Sequence, residues 1–448
     1  MSNFGFAVVR KLSTGHDSFQ ADLDELRSLQ LLEDQELDGK VGKILRDIRL
    51  NGDVAVLAYV KEFEHLDFDS GSDLRIDPEL LATSWEKISE KERNALSLAI
   101  ERIETFHNHQ IESSWSYKDE QNNLLGQQIA PINRVGVYIP GGKASYPSTA
   151  LMTVIPAKVA GVKEVAVATP LMGQHHNDLL FAALYKLGIE EIYGFGGAQS
   201  IGALAFGTEC IKRVDKIVGP GGLYVTAAKR KVFGFVGIDS IAGPTELVIF
   251  ADSGAPLDWL VLDFLSQAEH DPSAQSILIS QDQEYIDKFV SRVYEVFPKL
   301  SRQEIIGQSL EARSAVIQVS SDEQAIDIIN KIAPEHLQLC VERADEYLDQ
   351  IQNAGAIFCG NYSTESFGDY LAGPSHVLPT FGSARFSSPL GVYDFVKKSS
   401  VVEISQEGAS LLSEPASIIA NSEGLEAHAL ASRIRGPDFN SNIFEQLN

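Results

Sequence analysis

From Arg134 onward, short apolar runs rich in β-branched residues alternate with stretches of helical spacing, and this alternation constrains the fold more than any other feature of the chain. Arg134-Val-Gly-Val-Tyr-Ile-Pro140 reads as a strand and Ser148 to Ala160 as a helix closed by Gly161. Glu164 to Thr169 reads as a strand, Asn177 to Leu187 as a helix, Glu191 to Phe195 as a strand and Ala198 to Phe206 as a helix. Lys216 to Val218, Leu223 to Lys231 and Glu246 to Ala251 continue the pattern as strand, helix and strand. Strands and helices alternating at this length make right-handed βαβ units, so a parallel sheet covered by helices on both faces is expected.

A second α/β stretch follows. Leu257 to His270 has helical spacing and stops ahead of Pro272; Gln275 to Ser280 and Ala315 to Val319 are strand-like; Asp322 to Ile332 and Ala344 to Ala354 are helical. From about Asp22 to Gln110 apolar residues recur at helical spacing, as in Val41, Ile44, Leu45 and Ile48, which predicts a helical N-terminal region. Between Gly360 and about Phe395 glycine, serine, proline and aromatics suit site-forming loops. Glu423 to Arg435 reads as one helix of a small appended segment. The expected fold class is α/β: two Rossmann-like domains, each a doubly wound, largely parallel sheet, with a helical N-terminal region and a small C-terminal tail domain.

With 448 residues the chain has room for two or three cores. Lys and Arg number 37 against 62 Asp and Glu, a formal charge of −25 that repels phosphate backbones, so nucleic acid is not an expected partner. Met1 to Leu12 carries Arg10 and Lys11 with no apolar run behind them, and no segment approaches the roughly 20 apolar residues of a membrane span. Cys210, Cys340 and Cys359 are far apart and show no CxxC spacing, which fits a reducing, cytoplasmic setting. Cys340 and Cys359 lie in apolar runs and read as small buried hydrophobes.

The ten histidines divide into two groups. His16, His65, His107, His109, His175 and His176 sit in polar segments and read as solvated or capping histidines. His270, His336, His376 and His428 each lie near a carboxylate in sequence, the pairing that both metal binding and proton transfer use. Gln267 and His270 stand three apart near a helix end, so they share a face and form a possible half-site; a solvated helix terminus is the plainer alternative. Asp369 and His428 would complete a mixed N/O donor set that suits zinc, although manganese or cobalt would fill the same set. Glu335 and His336 are an adjacent acid and imidazole where a turn meets an apolar segment; together they could serve a proton-transfer reaction, or simply form a surface pair. Three glycine loops, at 136–142, 194–199 and 219–222, each follow a strand and open a helix, where backbone N–H groups favour the phosphates of a dinucleotide. None is a clean G-x-G-x-x-G, and glycines also serve tight turns.

Taken in order, these pieces resemble the histidinol dehydrogenase family. The stretches that carry the resemblance are Val135-Gly-Val-Tyr-Ile-Pro-Gly-Gly142, Gly196-Gly-Ala-Gln-Ser-Ile-Gly202 with Ala205-Phe-Gly-Thr-Glu209, and Asp239-Ser-Ile-Ala-Gly-Pro-Thr-Glu246. Ser266-Gln-Ala-Glu-His270, Ala333-Pro-Glu-His-Leu337, Gly373-Pro-Ser-His-Val-Leu-Pro-Thr380 and Glu423-Gly-Leu-Glu-Ala-His428 complete the set. The resemblance implies a four-electron oxidation in which L-histidinol, water and two NAD+ give L-histidine and two NADH, the last step of histidine biosynthesis. It implies zinc, one ion per subunit, held by Gln267, His270, Asp369 and His428. It makes His336 the general base and Glu335 the residue that activates water. Thr245, Gln267, His270, His336, Asp369, His376, Glu423 and His428 become substrate contacts, and Tyr138, Gln199 and Gly222 the dinucleotide positions. It also implies a homodimer with intertwined subunits, in which the C-terminal segment, and His428 with it, reaches the partner's site. The domain bounds that go with this reading are 1–30 for an N-terminal arm, 31–134 with 247–390 for the metal and catalytic domain, 135–246 for the dinucleotide domain and 391–448 for the tail.

Two positions depart from the family pattern. Gly219-Pro-Gly-Gly222 stands where Gly-Pro-Gly-Asn is usual, so a side-chain amide contact to the dinucleotide is absent and weaker NAD+ binding is expected. Thr245 stands where serine is common and keeps the hydroxyl. The rival readings are a paralogue that oxidises another small primary alcohol, a zinc hydrolase with structural glycine loops, and an idle metal-binding scaffold.

Overall fold

The computed structural model describes residues 9–27, 35–141, 146–171, 178–241 and 243–437. They form two compact units, Met1–Gln110 with Ile132–Phe395, and Ile111–Pro131 with Val396–Asn448. The larger unit opens with strand β1 (Arg10–Ser13) and helices α1 (Phe19–Arg27), α2 (Gln35–Glu64), α3 (Pro78–Lys87) and α4 (Glu90–Asn108). The α4 start is written in the sequence as a capping box: Ser89 accepts from the Glu92 N–H while Glu92 reaches back to the Ser89 N–H. The helical N-terminal region is therefore as expected, but β1 escaped the periodicity because it is only four residues long. His107, read above as a solvated or capping histidine, is fully buried near the end of α4, where its Nδ1 meets Gln110 Oε1 at 2.8 Å. His175 and His176 lie outside the described residues.

The smaller unit is built on antiparallel strands. Here β2 (Trp115–Lys118) pairs with β3 (Leu124–Pro131), which also pairs with a late strand, Val396–Glu403.

In the larger unit β4 (Arg134–Tyr138), β5 (Glu164–Ala168), β6 (Glu191–Tyr193), β7 (Lys216–Val218) and β8 (Gly237–Ile238) form a sheet of order β6-β5-β4-β7-β8, every pair parallel. The crossovers are α5 (Pro147–Val159), α6 (Asp178–Lys186), α7 (Gly197–Phe206) and α8 (Leu223–Val232). Side chains alternate between the two faces: Val135 and Val137 enter one core cluster, Tyr138, Ala166 and Ile217 the other. A sheet buried on both faces is the reason its strands read as nearly continuous apolar runs.

A second parallel sheet has the order β1-β11-β10-β9-β12-β13. Its later strands are β9 (Glu246–Ala251), β10 (Gln275–Ser280), β11 (Ala315–Gln318), β12 (His336–Cys340) and β13 (Ala356–Cys359). Between them run α9 (Leu257–Ala268), α10 (Gln283–Val296), α11 (Gln303–Ala312) and α12 (Asp322–Ile332), and α13 (Glu365–Tyr370) follows β13. Leu247, Ile249 and Ala251 face one core, Val248 and Phe250 the other. Both sheets thus show the doubly wound order expected, the chain reversing direction across the sheet at β4/β7 and at β9/β12.

Three local expectations are corrected. Ala344 to Ala354 is not an α-helix but a 3-10 turn, Ala344–Gln350, after which Asn330 Oδ1 captures the N–H groups of Gln352 (2.8 Å) and Asn353 (3.1 Å) and holds the chain out of helical register. Glu423 to Arg435 is not one helix: α14 (Gln406–Ser422) is capped by Glu423, Gly424 turns left-handed at φ 75°, and α15 (Glu426–Arg433) starts anew, after β14 (Val396–Glu403). Cys359 is exposed rather than buried, because it lies on the outward face of the edge strand β13; Cys340 is buried as expected.

Candidate active site

Strands β9 and β12 are hydrogen-bonded neighbours with His336 opposite Leu247, so the residues entering both strands meet at one edge of the sheet. The entry to β12 is sharp. Helix α12 ends where Ala333 takes left-handed angles (φ 53°, ψ 62°) and Pro334 forbids further helix. Gly355 then lies so close that a Cβ there would stand 2.5 Å from the Glu335 carbonyl oxygen, which accepts from Ala356 N–H at 2.9 Å. The Glu335 backbone is thereby gripped before its side chain makes any contact.

The Glu335 carboxylate Oε2 accepts from Thr245 Oγ1 at 2.7 Å and from the Glu246 N–H at 3.0 Å. Burial pushes this carboxyl well above the usual carboxylate range, and the two donors only partly oppose it. His336 is 4% exposed, and burial drives its imidazole down to about 3. Its Nδ1 lies 3.1 Å from the Glu246 carbonyl oxygen. A carbonyl only accepts, so Nδ1 carries the proton and Nε2 keeps a free lone pair.

Gln267, fully buried on the last turn of α9, joins this pair to a second group of side chains. One end of its amide faces Thr245 Oγ1 (2.5 Å) and His336 Nδ1 (3.1 Å); the other faces Glu365 Oε1 at 2.8 Å. With its NH2 facing Thr245, the Thr245 hydrogen goes to Glu335 and the Gln267 carbonyl oxygen faces Glu365; with the NH2 donating to Glu365 instead, the Thr245 hydrogen goes to the Gln267 carbonyl. His270 follows α9, with its N–H bonded to the Gln267 carbonyl at 3.2 Å. Asp369 comes from α13, and burial pushes its carboxyl up to about 7. His376 places Nδ1 3.7 Å from Asp369 Oδ1.

Glu365 was not singled out by sequence. It is 2% exposed, one helical turn before Asp369, and it joins His270 and Asp369 in a group whose ligand atoms all lie within 4.8 Å of one another. Asp263, one turn before Gln267 on α9, accepts from Thr364 Oγ1 (2.8 Å) and Gln338 Nε2 (2.7 Å), tying α9 to α13 and β12. The Glu365-x-x-x-Asp369 and Asp263-x-x-x-Gln267 spacings were the available signals. Glu423 and His428, by contrast, belong to the smaller unit, where both are exposed.

The other sequence-derived positions gather at the carboxyl ends of the first sheet. Tyr138 ends β4 and Gly219 follows β7, flanking the point where the strand order reverses. Gly219 has φ 111°, and an added Cβ would lie 2.0 Å from the Tyr138 carbonyl oxygen, so no other residue fits. Gln199, on the first turn of α7, donates to Glu64 Oε1 at 2.9 Å, and Glu64 also accepts from the Gly196 N–H at 3.0 Å. That glycine loop is therefore capped from within by a carboxylate. Gly222 is the N-cap of α8, exposed, with nothing within 4 Å of an added Cβ. Gly142 and Lys143 of the first loop lie outside the described residues.

Two doubly wound parallel sheets, one with Tyr138 and Gly219 flanking its strand reversal and the other with a buried acid–imidazole pair at the amino ends of its strands, are the α/β architecture of an oxidoreductase whose family model this chain matches. The chain belongs to the histidinol dehydrogenase family, whose model matches residues 29–436. It is 46% identical over 428 residues to a histidinol dehydrogenase of Chromobacterium violaceum, covering 96% of this chain and 99% of that one. Against the Pseudomonas aeruginosa histidinol dehydrogenase the identity is also 46% over 428 residues, covering 96% and 97% of the two chains. The crystal structure of histidinol dehydrogenase from Elizabethkingia anophelis superposes with a TM-score of 0.89 at 34% identity, covering 96% of this chain and 98% of that one. Among the described residues no helix is long and apolar enough to cross a membrane.

Proposed function

We propose that this protein oxidises L-histidinol to L-histidine through L-histidinal, using two NAD+ and one water, as a cytoplasmic homodimer. The observation that carries the reading is the buried Glu335 and His336 pair, joined by Thr245 and Gln267 to His270, Glu365, Asp369 and His376 at one sheet edge. In the first step His336 Nε2 takes the hydroxyl proton while hydride leaves the hydroxyl-bearing carbon for NAD+, and His336 then releases that proton to solvent. In the second, Glu335 removes a proton from water, which adds to the aldehyde carbon. The hydrated carbon then gives its hydride to a second NAD+, with His336 again receiving the proton, and histidine is formed.

Gln267, His270 and Asp369, with His428 from the partner subunit, are the residues we assign to zinc. The donor set fits: with the Gln267 NH2 facing Thr245, its carbonyl oxygen faces the oxygens of Glu365, an arrangement that a cation makes favourable. Bound zinc would supply a grip on the imidazole and amine of the substrate. His376 and Glu423 contact the substrate, and Tyr138, Gln199 and the Gly222 backbone contact the dinucleotide. The intertwined dimer would bring Glu423 and His428, exposed on the smaller unit, to the partner's site.

The test is absorbance at 340 nm with L-histidinol and NAD+. Two NADH per histidine support the proposal; one NADH per substrate, with aldehyde accumulating, would remove the second half of it. Inactivity toward L-histidinol but turnover of another primary alcohol would overturn the substrate.

A further inference from the structure

Gly219 is held by an ion pair that no catalytic step uses. Lys229, in the middle of α8, is 2% exposed, and its ammonium pairs with Asp239 Oδ1; both side chains are 3% exposed. Each partner also takes one end of Gly219: Lys229 Nζ donates to its carbonyl oxygen at 2.8 Å, and Asp239 Oδ2 accepts from its N–H at 2.7 Å. One buried pair thus satisfies both backbone groups of the single residue that the close approach to Tyr138 forces to be glycine.

A buried pair is a weak route to stability, because desolvating two charges offsets most of their attraction. What it does deliver is geometry. Gly219 presses on the Tyr138 carbonyl, and Gly221 lies beside the Tyr138 ring, an added Cβ standing 3.1 Å from Cε1. Fixing the Gly219 peptide therefore fixes the tyrosine on one side and the entry to α8 on the other. We infer that Lys229 and Asp239 are positioning residues of the dinucleotide crevice: they hold the Gly219–Gly222 loop in its binding shape before the cofactor arrives. This rests on the proposal above that the dinucleotide binds at Tyr138, Gln199 and Gly222. It also accounts for a loop without the usual asparagine, since a rigid backbone loses less freedom on binding.

The experiment compares the full-length, metal-loaded wild type with Lys229→Met/Asp239→Asn, which removes both charges and so leaves no lone buried ion, and with Asp239→Glu, which keeps the pair but displaces it by one methylene. NADH affinity is read by nucleotide fluorescence, with the Michaelis constants for NAD+ and L-histidinol alongside. The expected result is NADH binding weaker by about five- to tenfold in both variants, the scale of one net hydrogen bond's ordering. The histidinol constant should stay within twofold. A lowered melting temperature with NADH affinity within twofold of wild type would reduce the pair to a structural role and overturn the inference. Tyr138→Ala separates the two levels: if it leaves NADH binding intact, the crevice itself is wrongly assigned and the inference falls with it, whereas weakened binding there with intact binding in the pair variants refutes the inference alone.

Discussion

Replacing Thr245 with valine removes one hydroxyl and almost no volume, and that hydroxyl is the side-chain donor to the carboxylate that we propose activates water. Glu335 Oε2 receives it at 2.7 Å and would be left with the Glu246 N–H at 3.0 Å. A hydrogen bond to a charged acceptor is worth about 1.5–3 kcal/mol. At about 1.4 kcal/mol per factor of ten, loss of this one slows the step that uses ionised Glu335 by roughly 10- to 150-fold. The sign of the pH effect follows. Burial raises the Glu335 carboxyl and the Thr245 donor lowers it, so removing the donor raises it further and moves the acid limb of the pH profile upward. Rates of L-histidinal and L-histidinol oxidation, measured separately across pH, should show the larger loss with the aldehyde. Thr245→Ser, which retains the hydroxyl, should stay within about threefold of wild type. Equal aldehyde rates in Thr245→Val and wild type, or a serine variant as slow as the valine one, would refute the reasoning.

Gly222→Asn should bind NAD+ about two- to tenfold more tightly, by one net hydrogen bond, and should gain only a few tenths of a kcal/mol in stability, because the N-cap position already tolerates glycine; an unchanged Michaelis constant counts against a side-chain contact there. Zinc added to chelator-stripped protein should raise the melting temperature, since a ligand of the native state alone stabilises it, and His270→Asn or Asp369→Asn should abolish the rise; a rise that survives both would place the ion elsewhere. Arg134, 4% exposed, binds Glu191 and Glu164 at the opening of β4, so Arg134→Met should cost about 3 kcal/mol in a denaturant titration at neutral pH. Burial alone would raise the Glu191 carboxyl, but hydrogen bonds from Arg134 and Tyr193 and the Arg134 charge hold it below the ordinary range. Its contribution is complete above the ordinary carboxylate range and drains as pH falls through the lowered value, so the gap between wild type and variant should narrow in acid.

What the sequence made legible follows from burial. Strands covered on both faces, such as Glu246–Ala251 and Gln275–Ser280, read as apolar runs and were found with their bounds intact or nearly so. The strands of the smaller unit were not found: Trp115–Lys118 is exposed along its whole length, and Val396–Glu403 along nearly all of it, so neither shows a period-two signal within this chain. Helix α10 was missed although Tyr285, Ile286, Phe289, Val290 and Val293 mark its buried face. At the site, Glu335 with His336, and Gln267 with His270, were ambiguous as isolated pairs and acquired meaning only through the ordered family motifs. Glu365 stayed hidden because α13 has six residues, too few for a periodic pattern, and because the burial of a carboxylate leaves no mark in composition. His107 was misread for the same reason, since its burial left no mark in composition either.

The two sheets use opposite edges, and helix polarity gives a reason. At the carboxyl edge of the first sheet helices begin: α7 follows β6, and α8 starts at Gly222 after β7, so positive helix ends and free N–H groups gather where an anionic dinucleotide would lie. At the amino edge of the second sheet helices end: Gln267 occupies the last turn of α9, and α12 stops just before Glu335. Negative helix ends gather there and favour a metal cation, a substrate ammonium or a transiently protonated imidazole. The connection from Ile238, the last residue of β8, to Glu246, the first of β9, covers so few residues that the two edges stand no more than roughly 30 Å apart even with the chain fully extended. The chain leaves an edge of positive helix ends and enters one of negative helix ends within a single loop. That loop carries both Asp239, which braces Gly219, and Thr245, which holds Glu335. On the function proposed above, a phosphorylated carrier and a cationic, metal-gripped substrate would meet across such a polarity, and two sheets joined edge to opposite edge supply it from backbone dipoles before any side chain is chosen.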